Sequence, residues 1–307
     1  MDSLCAEIPR AALKADIDAL ASEQRLVDAE RFHVYCAPAH QLPSVLREIG
    51  RLREATFRAV GEGTGRSCDV DPFDAWYLHL FLWDAQRGCV AGGYRLGLAD
   101  AILARHGRRG LYTYSLFQYP GRLLDELNPA IELGRSFVRA EYQREFASLM
   151  LLWRGIGRFV VRHPQYAVLF GAVSISNRYS PASRRLMVDY LSEHCTDTRF
   201  AQHVTPRHPY NEPARETVAP PRSVEELMRV IGDIEQGEKG VPVLLRQYLR
   251  LGGRLLGFSR DGAFADALDG LVMVDLRRIE PAILARYMGK AGMAAFRAHH
   301  QQLEPVP

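Results

Sequence analysis

A chain of 307 residues with 47% hydrophobic and 24% charged side chains has the make-up of an ordinary globular protein, long enough for one large domain or a domain with an appendage. A formal net charge of +3 is too small to point to nucleic acid, and no apolar run approaches the roughly 20 residues of a membrane-spanning helix. The acidic start MDSLCAEIPRAALKADIDAL makes a poor secretory signal, so the expected location is the cytoplasm, with a peripheral contact to the inner face of the membrane left open.

In chain order, residues 1–30 read as an N-terminal arm with a helix over Ala11–Leu20, and Phe32–Cys36 alternates like a strand. Pro43 and Ser44 open a helix whose apolar positions Val45, Leu46, Ile49, Leu52, Phe57 and Val60 keep near-helical spacing, closed by Gly61, Gly63 and Gly65. Trp76–Trp83 and Cys89–Leu96 read as a hairpin about Arg87-Gly88. A short helix covers Asp100–Arg105, and Leu111–Phe117 and Ile131–Val138 read as further strands. The helix Phe146–Arg162 ends at His163-Pro164 and leads to a buried strand, Ala167–Ile175. Ser180 suits an N-cap and Pro181 the first helical position. Arg199–Arg222 reads as a long surface excursion, followed by helices Val224–Glu235 and Pro242–Leu251, strands Leu255–Phe258 and Leu271–Asp275, and closing helices from about Pro281 to His299. Alternation of strands and helices predicts an α/β (α+β) chain with a mixed, helix-covered sheet. The expected partition is the arm, a main domain over 31–280 and a helical tail over 281–307.

Cys5, Cys36, Cys68, Cys89 and Cys195 form no C-x-x-C pair, and the histidines form no H-E-x-x-H, so no metal site is expected. Two basic clusters, His106–Arg109 and Arg154, Arg158, Arg162 with His163, suit an acidic protein partner or an anionic surface as well as plain solvation. The amphipathic, basic stretch Val241–Arg254 reads as a helix packed on the sheet more readily than as a surface anchor.

The segment Ile131–Val138 (IELGRSFV) holds the strongest chemical signal. Glu132 and Arg135 inside a central strand are costly unless paired or functional, and a bulge at Gly134 would bring them together. A structural salt bridge is the plainer reading. Gly155 and Gly157, in mid-helix, point to close approach of another backbone or of a ligand, with tight helix–sheet packing equally open.

Taken together, Arg53 in the first long helix, D-P-F-D at Asp71–Asp74, the W-Y-L-H-L strand, G-x-Y-R-L with Arg95, E-x-G-R-S-F-V from Glu132, Leu152–Arg158, Leu169–Tyr179 and Pro242–Phe258 resemble one family in residues and order. The chain is similar, over about Phe32 to Leu276, to the ornithine-lipid N-acyltransferases, often labelled hemolysin-like. These belong to the GNAT-like superfamily that also holds acyl-homoserine-lactone synthases and N-acyl amino acid synthases. The resemblance implies a GNAT-like, mostly antiparallel sheet with helices on both faces. It also implies transfer of a 3-hydroxy fatty acyl group from acyl carrier protein, through its 4'-phosphopantetheine, to the α-amine of ornithine, giving lyso-ornithine lipid. Another amino acid acceptor is the alternative.

By the same resemblance Arg53, Asp71, Asp74, Arg95, Glu132 and Arg135 carry function; as a mechanism Glu132 is assigned the base and Arg135 its orienting partner, with Asp71 or Asp74, beside Arg53 and Arg95, at the acceptor. Gly134, Ser136, Val138, Arg154, Gly155 and Gly157 hold the donor. The sequence departs from the superfamily at Leu152, where Gln or Arg is expected before Gly155 and Gly157. That departure favours a carrier-protein donor over coenzyme A. The start of the helix near Phe146 is expected to hold the donor phosphate. Leu116, Phe117, Leu149, Trp153 and Phe170 are candidates for an acyl slot and equally for plain core.

Overall fold

A computed structural model describes residues 1–120, 123–144, 146–211 and 221–302, with the Phe146 side chain left out. The elements run α1 (Arg10–Asp18), β1 (Arg25–Ala29), β2 (Phe32–Pro38), α2 (Pro43–Ala59), β3 (Leu78–Asp84), β4 (Cys89–Leu98), α3 (Ala99–His106), β5 (Phe117–Gln118), α4 (Leu123–Leu127) and β6 (Ala130–Val138). They continue with α5 (Phe146–Arg162), β7 (Val168–Ile175), α6 (Pro181–His194), α7 (Thr198–Ala201), β8 (Thr205–Pro206), α8 (Val224–Ile234), α9 (Val243–Arg250), β9 (Arg254–Asp261), β10 (Ala267–Asp275), α10 (Pro281–Met288) and α11 (Lys290–Gln301).

One eight-stranded sheet, in the order β1-β2-β3-β4-β6-β7-β10-β9, forms the middle layer. Its neighbours run antiparallel except β6 and β7, which are parallel. The fold is therefore the mixed, mostly antiparallel, helix-covered sheet expected of a GNAT-like protein. The two long helices lie on opposite faces because each carries an apolar stripe. From α2, Val45, Ile49 and Leu52 pack with Phe81, Val90 and Phe137. From α5, Leu152 and Ile156 pack with Leu80, Leu96 and Leu133. As the sequence anticipates, Pro43 occupies the first turn of α2, and Ser180 caps α6 by accepting from the Ser183 amide at 3.2 Å.

Leu133 and Phe137 are an even number of residues apart, yet they face opposite layers. The register explains this: Gly93 faces Phe137 and Arg95 faces Gly134, so Tyr94 alone opposes Arg135 and Ser136. This is a β-bulge with Arg135 in the left-handed region at φ 50°. It turns Arg135 onto the α2 side of the sheet.

Three expectations are corrected. Leu111–Phe117 is not a strand: Tyr112–Ser115 forms a 3-10 turn, because the amides of Tyr112 and Thr113 donate to the Glu132 carboxylate instead of to a ladder. Only Phe117–Gln118 is extended, paired with Thr205–Pro206. The arm ends in a strand, β1, which pairs with β2 as the edge of the sheet. The excursion over 199–222 contains part of α7 and all of β8, while 212–220 lie outside the described residues.

Candidate active site

The strands β6 and β7 pair only over Ala130–Glu132 and Val168–Phe170. Beyond this point they part. At the fork Gly171 lies so close that an added Cβ would sit 2.1 Å from the Leu133 carbonyl oxygen, so only glycine lets the strands meet there. The parting opens a cleft of about 810 Å³. Ser136, Phe137 and Val138 line one wall, and Val173, Ser174 and Ser176 line the other. Thr56, Phe57 and Glu62 close it from the end of α2, and Leu244, Arg246 and Gln247 from α9. A side cavity of about 60 Å³ adjoins it through Phe57, Ser136 and Ser174 and reaches Tyr94, Gly134, Arg135 and Asp269.

Glu62 is the carboxylate on the cleft wall. It sits in the turn after α2 between two glycines with positive φ, Gly61 at 80° and Gly63 at 107°. The side chain is folded inward, 8% exposed, and Ser174 Oγ donates to its Oε2 at 3.0 Å. Burial pushes this carboxyl up to about 7, against the opposing pull of the Ser174 hydroxyl and the Arg135 charge. A group with these properties changes protonation state near neutral pH. Sequence reading passed over Glu62, taking Gly61–Gly65 only as a helix stop. The one available signal was an acid between glycines.

Glu132 lies elsewhere. Its carboxylate is 1% exposed and accepts from Tyr77 OH, from the Tyr112 amide at 3.1 Å and from the Thr113 amide at 2.6 Å. Burial pushes it up, opposed by the Tyr77 and Thr113 hydrogen bonds. It lines neither cavity. The expected pairing with Arg135 is not formed, because the bulge sends the Arg135 guanidinium to Asp69 at 3.1 Å, Asp71 at 3.6 Å and Tyr112 OH at 3.1 Å. Glu132 thus holds the 112–115 turn through these hydrogen bonds.

The expected acceptor residues do come together, but with one another. Arg53 donates to Asp74 at 2.9 and 3.1 Å, and Arg95 to Asp71 at 2.6 Å and Asp74 at 3.3 Å. Asp69, which the sequence reading did not select, completes a cluster of three arginines and three aspartates through Arg135. Burial pushes the Asp74 carboxyl up, but Arg53 and Arg95 outweigh it and hold it well below the usual carboxylate range. The cluster is charge-balanced, and none of Arg53, Asp71, Asp74 and Arg95 lines the cleft or its side cavity.

The donor set divides. Ser136 and Val138 line the cleft and Gly134 the side cavity. Gly155 and Gly157 sit inside α5, where added Cβ atoms would fall 2.6 Å from Val34 Cγ1 and 2.8 Å from the Tyr287 backbone. They serve helix packing, and Arg154 on the same helix does not line the cleft. The departure at Leu152 therefore says nothing about the donor. Leu149 and Trp153 do line the cleft, whereas Leu116, Phe117 and Phe170 belong to a separate core. The first turn of α5 presents Ser148 to the cleft, 1% exposed and with its Oγ unpartnered.

A parallel pair splayed around a cleft, in this sheet order, gives the chain a GNAT-like fold. The acetyltransferase (GNAT) domain family matches residues 52–154. Two curated relatives, glycine N(alpha)-acyltransferases of Phocaeicola vulgatus and Bacteroides thetaiotaomicron, are each 29% identical over 299 residues, 91% of this chain and 90% and 87% of theirs. Among solved structures, a CoA-dependent acyl-homoserine lactone synthase with SAM and isopentyl-CoA aligns at 14% identity, over 85% of this chain and 97% of that one, with TM-score 0.43. An N-acyl amino acid synthase from uncultured soil microbes aligns at 11%, over 85% and 100%, with TM-score 0.42. No helix among the described residues is long and apolar enough to cross a membrane.

Proposed function

We propose that the protein transfers a fatty acyl group, 3-hydroxylated by analogy with the resembled family, from the 4'-phosphopantetheine thioester of acyl carrier protein to the α-amine of an amino acid. The observation that carries this reading is Glu62, a carboxyl held at about 7 on the wall of a largely apolar cleft between two parted strands. The acyl chain lies along Leu149 and Trp153, and the donor phosphate lies at the start of α5, where Ser148 Oγ has no hydrogen-bond partner among the described residues. The acceptor ammonium first loses a proton to water, and the free amine nitrogen then attacks the thioester carbonyl, forming the C–N bond. Glu62 takes the proton the nitrogen sheds. As the C–S bond breaks, the protonated Glu62 returns that proton to the thiolate, whose ordinary pKa of about 8.5 lies above its own. Protons balance over the cycle.

The resemblance of the sequence supports ornithine as acceptor, with lyso-ornithine lipid as product. The curated relatives support glycine, and one feature of the site favours this second reading. An ornithine side chain brings a second ammonium, yet the other acid nearby, Asp269, is pushed well up by burial and by Asp261 and Glu62, which disfavours the anion that would meet it. Purified protein, 3-hydroxyacyl carrier protein and either amino acid, followed by mass spectrometry of the products, test both. Formation of neither N-acyl amino acid overturns the proposal, and acyl-coenzyme A serving equally well overturns the carrier-protein donor.

A further inference from the structure

We infer that Arg246 is the residue that binds the carboxylate of the amino acid acceptor, and so makes the site selective for a zwitterion over a simple amine; this rests on the proposed amino-acid acceptor. Arg246 and Arg250 are the cationic side chains on the cleft wall, facing the same space as Glu62. Both come from α9, where Val243, Arg246, Gln247 and Arg250 share the cleft-facing side while Leu245 and Tyr248 are buried against the body.

Arg250 is exposed at the rim, whereas Arg246 is half-buried. Among the described residues Arg246 has no carboxylate partner, and its Nε is buried without a hydrogen-bond acceptor. This sets it apart from Arg53, Arg95 and Arg135, whose charges are matched by Asp69, Asp71 and Asp74. A guanidinium partly withdrawn from water with an open N–H fork is a poor resting state and a good receptor for a planar, two-oxygen anion. With Glu62 as the one carboxylate of the main cleft among the described residues and Arg246 as its inner cation, the walls carry the charge pattern complementary to an α-amino acid, amine to the first and carboxylate to the second.

The test uses glycine, ornithine and their amides, which keep the amine and lose the anionic carboxylate. In steady-state assays the wild type prefers each acid over its amide. Arg246→Met raises the KM of the acids at least tenfold, leaves that of the amides and of the acyl donor unchanged, and abolishes the preference; Arg246→Lys restores part of it. A thermal-shift titration with glycine and glycinamide needs no turnover: glycine stabilises the wild type, and Arg246→Met removes that shift. A rise in donor KM, an unchanged acid-to-amide ratio, or an equal glycine shift in wild type and Arg246→Met overturns the inference. Failure of the functional reading shows up separately, as no acylated product from wild type.

Discussion

Ser174 Oγ donates a 3.0 Å hydrogen bond to Glu62 Oε2 across 112 residues of chain, joining the far wall of the cleft to the turn that follows α2. This one contact ties a loop to a strand exactly where β6 and β7 have parted, and it fixes which oxygen of Glu62 remains for a substrate.

Glu62→Gln keeps the volume and removes the base. Loss of a positioned proton acceptor lowers kcat by about 10²–10⁴-fold. The wild-type kcat/KM rises with pH through a group near 7, since Glu62 must be ionised to accept a proton. In the variant that limb vanishes and only the titration of the amine is left. A variant profile superimposable on wild type would remove Glu62 from the reaction.

The same substitution has an opposite effect on stability. The folded-state value of about 7 lies above the unfolded one, so the folded protein holds the proton longer. Stability contributed by the neutral acid is full below about pH 4 and is lost as pH rises to about 7. Glu62→Gln is therefore more stable than wild type at pH 8, by about 3 kcal/mol, and the gain disappears near pH 4. Urea melts at both pH values measure it.

Glu132→Gln places an amide donor where the Tyr112 and Thr113 amides and the Tyr77 hydroxyl all donate. Leaving buried donors unsatisfied costs about 1–3 kcal/mol. The melting temperature falls, while turnover per folded molecule stays close to wild type. A well-folded variant with turnover collapsed would restore Glu132 as a participant in the chemistry.

Asp74→Asn unbalances the cluster, leaving Arg53 and Arg95 short of a negative charge. Breaking a buried pair on one side costs about 3–5 kcal/mol. Because the Asp74 carboxyl is held low in the folded state, its contribution is present above the unfolded value and is lost as pH falls below about 4. The variant accordingly shows a flatter acid-denaturation curve, seen by circular dichroism between pH 5 and pH 2.

Gly171→Ala drives a methyl into the Leu133 carbonyl at the fork. Overpacking of this kind costs about 1–3 kcal/mol. The parting of β6 and β7 must shift with it, so the KM of the acyl donor rises along with the loss of stability; a donor KM at the wild-type value would separate the fork from donor binding.

Much of the architecture is written in local patterns. The helix over Phe146–Arg162, the hairpin about Gly88 and the cap at Ser180 follow from apolar period and turn chemistry, which depend on neighbours in the chain. The strand holding Glu132 and Arg135 was legible for the same reason, as polar residues in an apolar run. Their destinations were not. One bulged residue opposite Tyr94 reverses the face of Arg135, and a 3-10 turn from another part of the chain closes over Glu132.

Composition and periodicity by themselves determined a mixed, helix-covered sheet, its long helices and a set of arginines and acids worth attention, and the resemblance implied its GNAT-like order. Only the tertiary structure decided which acid lines the cleft. Glu62 owes its raised protonation to burial in the walls of the cleft, against the pull of the Ser174 hydrogen bond, and Arg246 owes its open fork to the lack of a carboxylate partner among the described residues. Both properties come from groups distant in the chain and brought close by folding, because solvation and Coulomb energy depend on separation in space and not along the sequence.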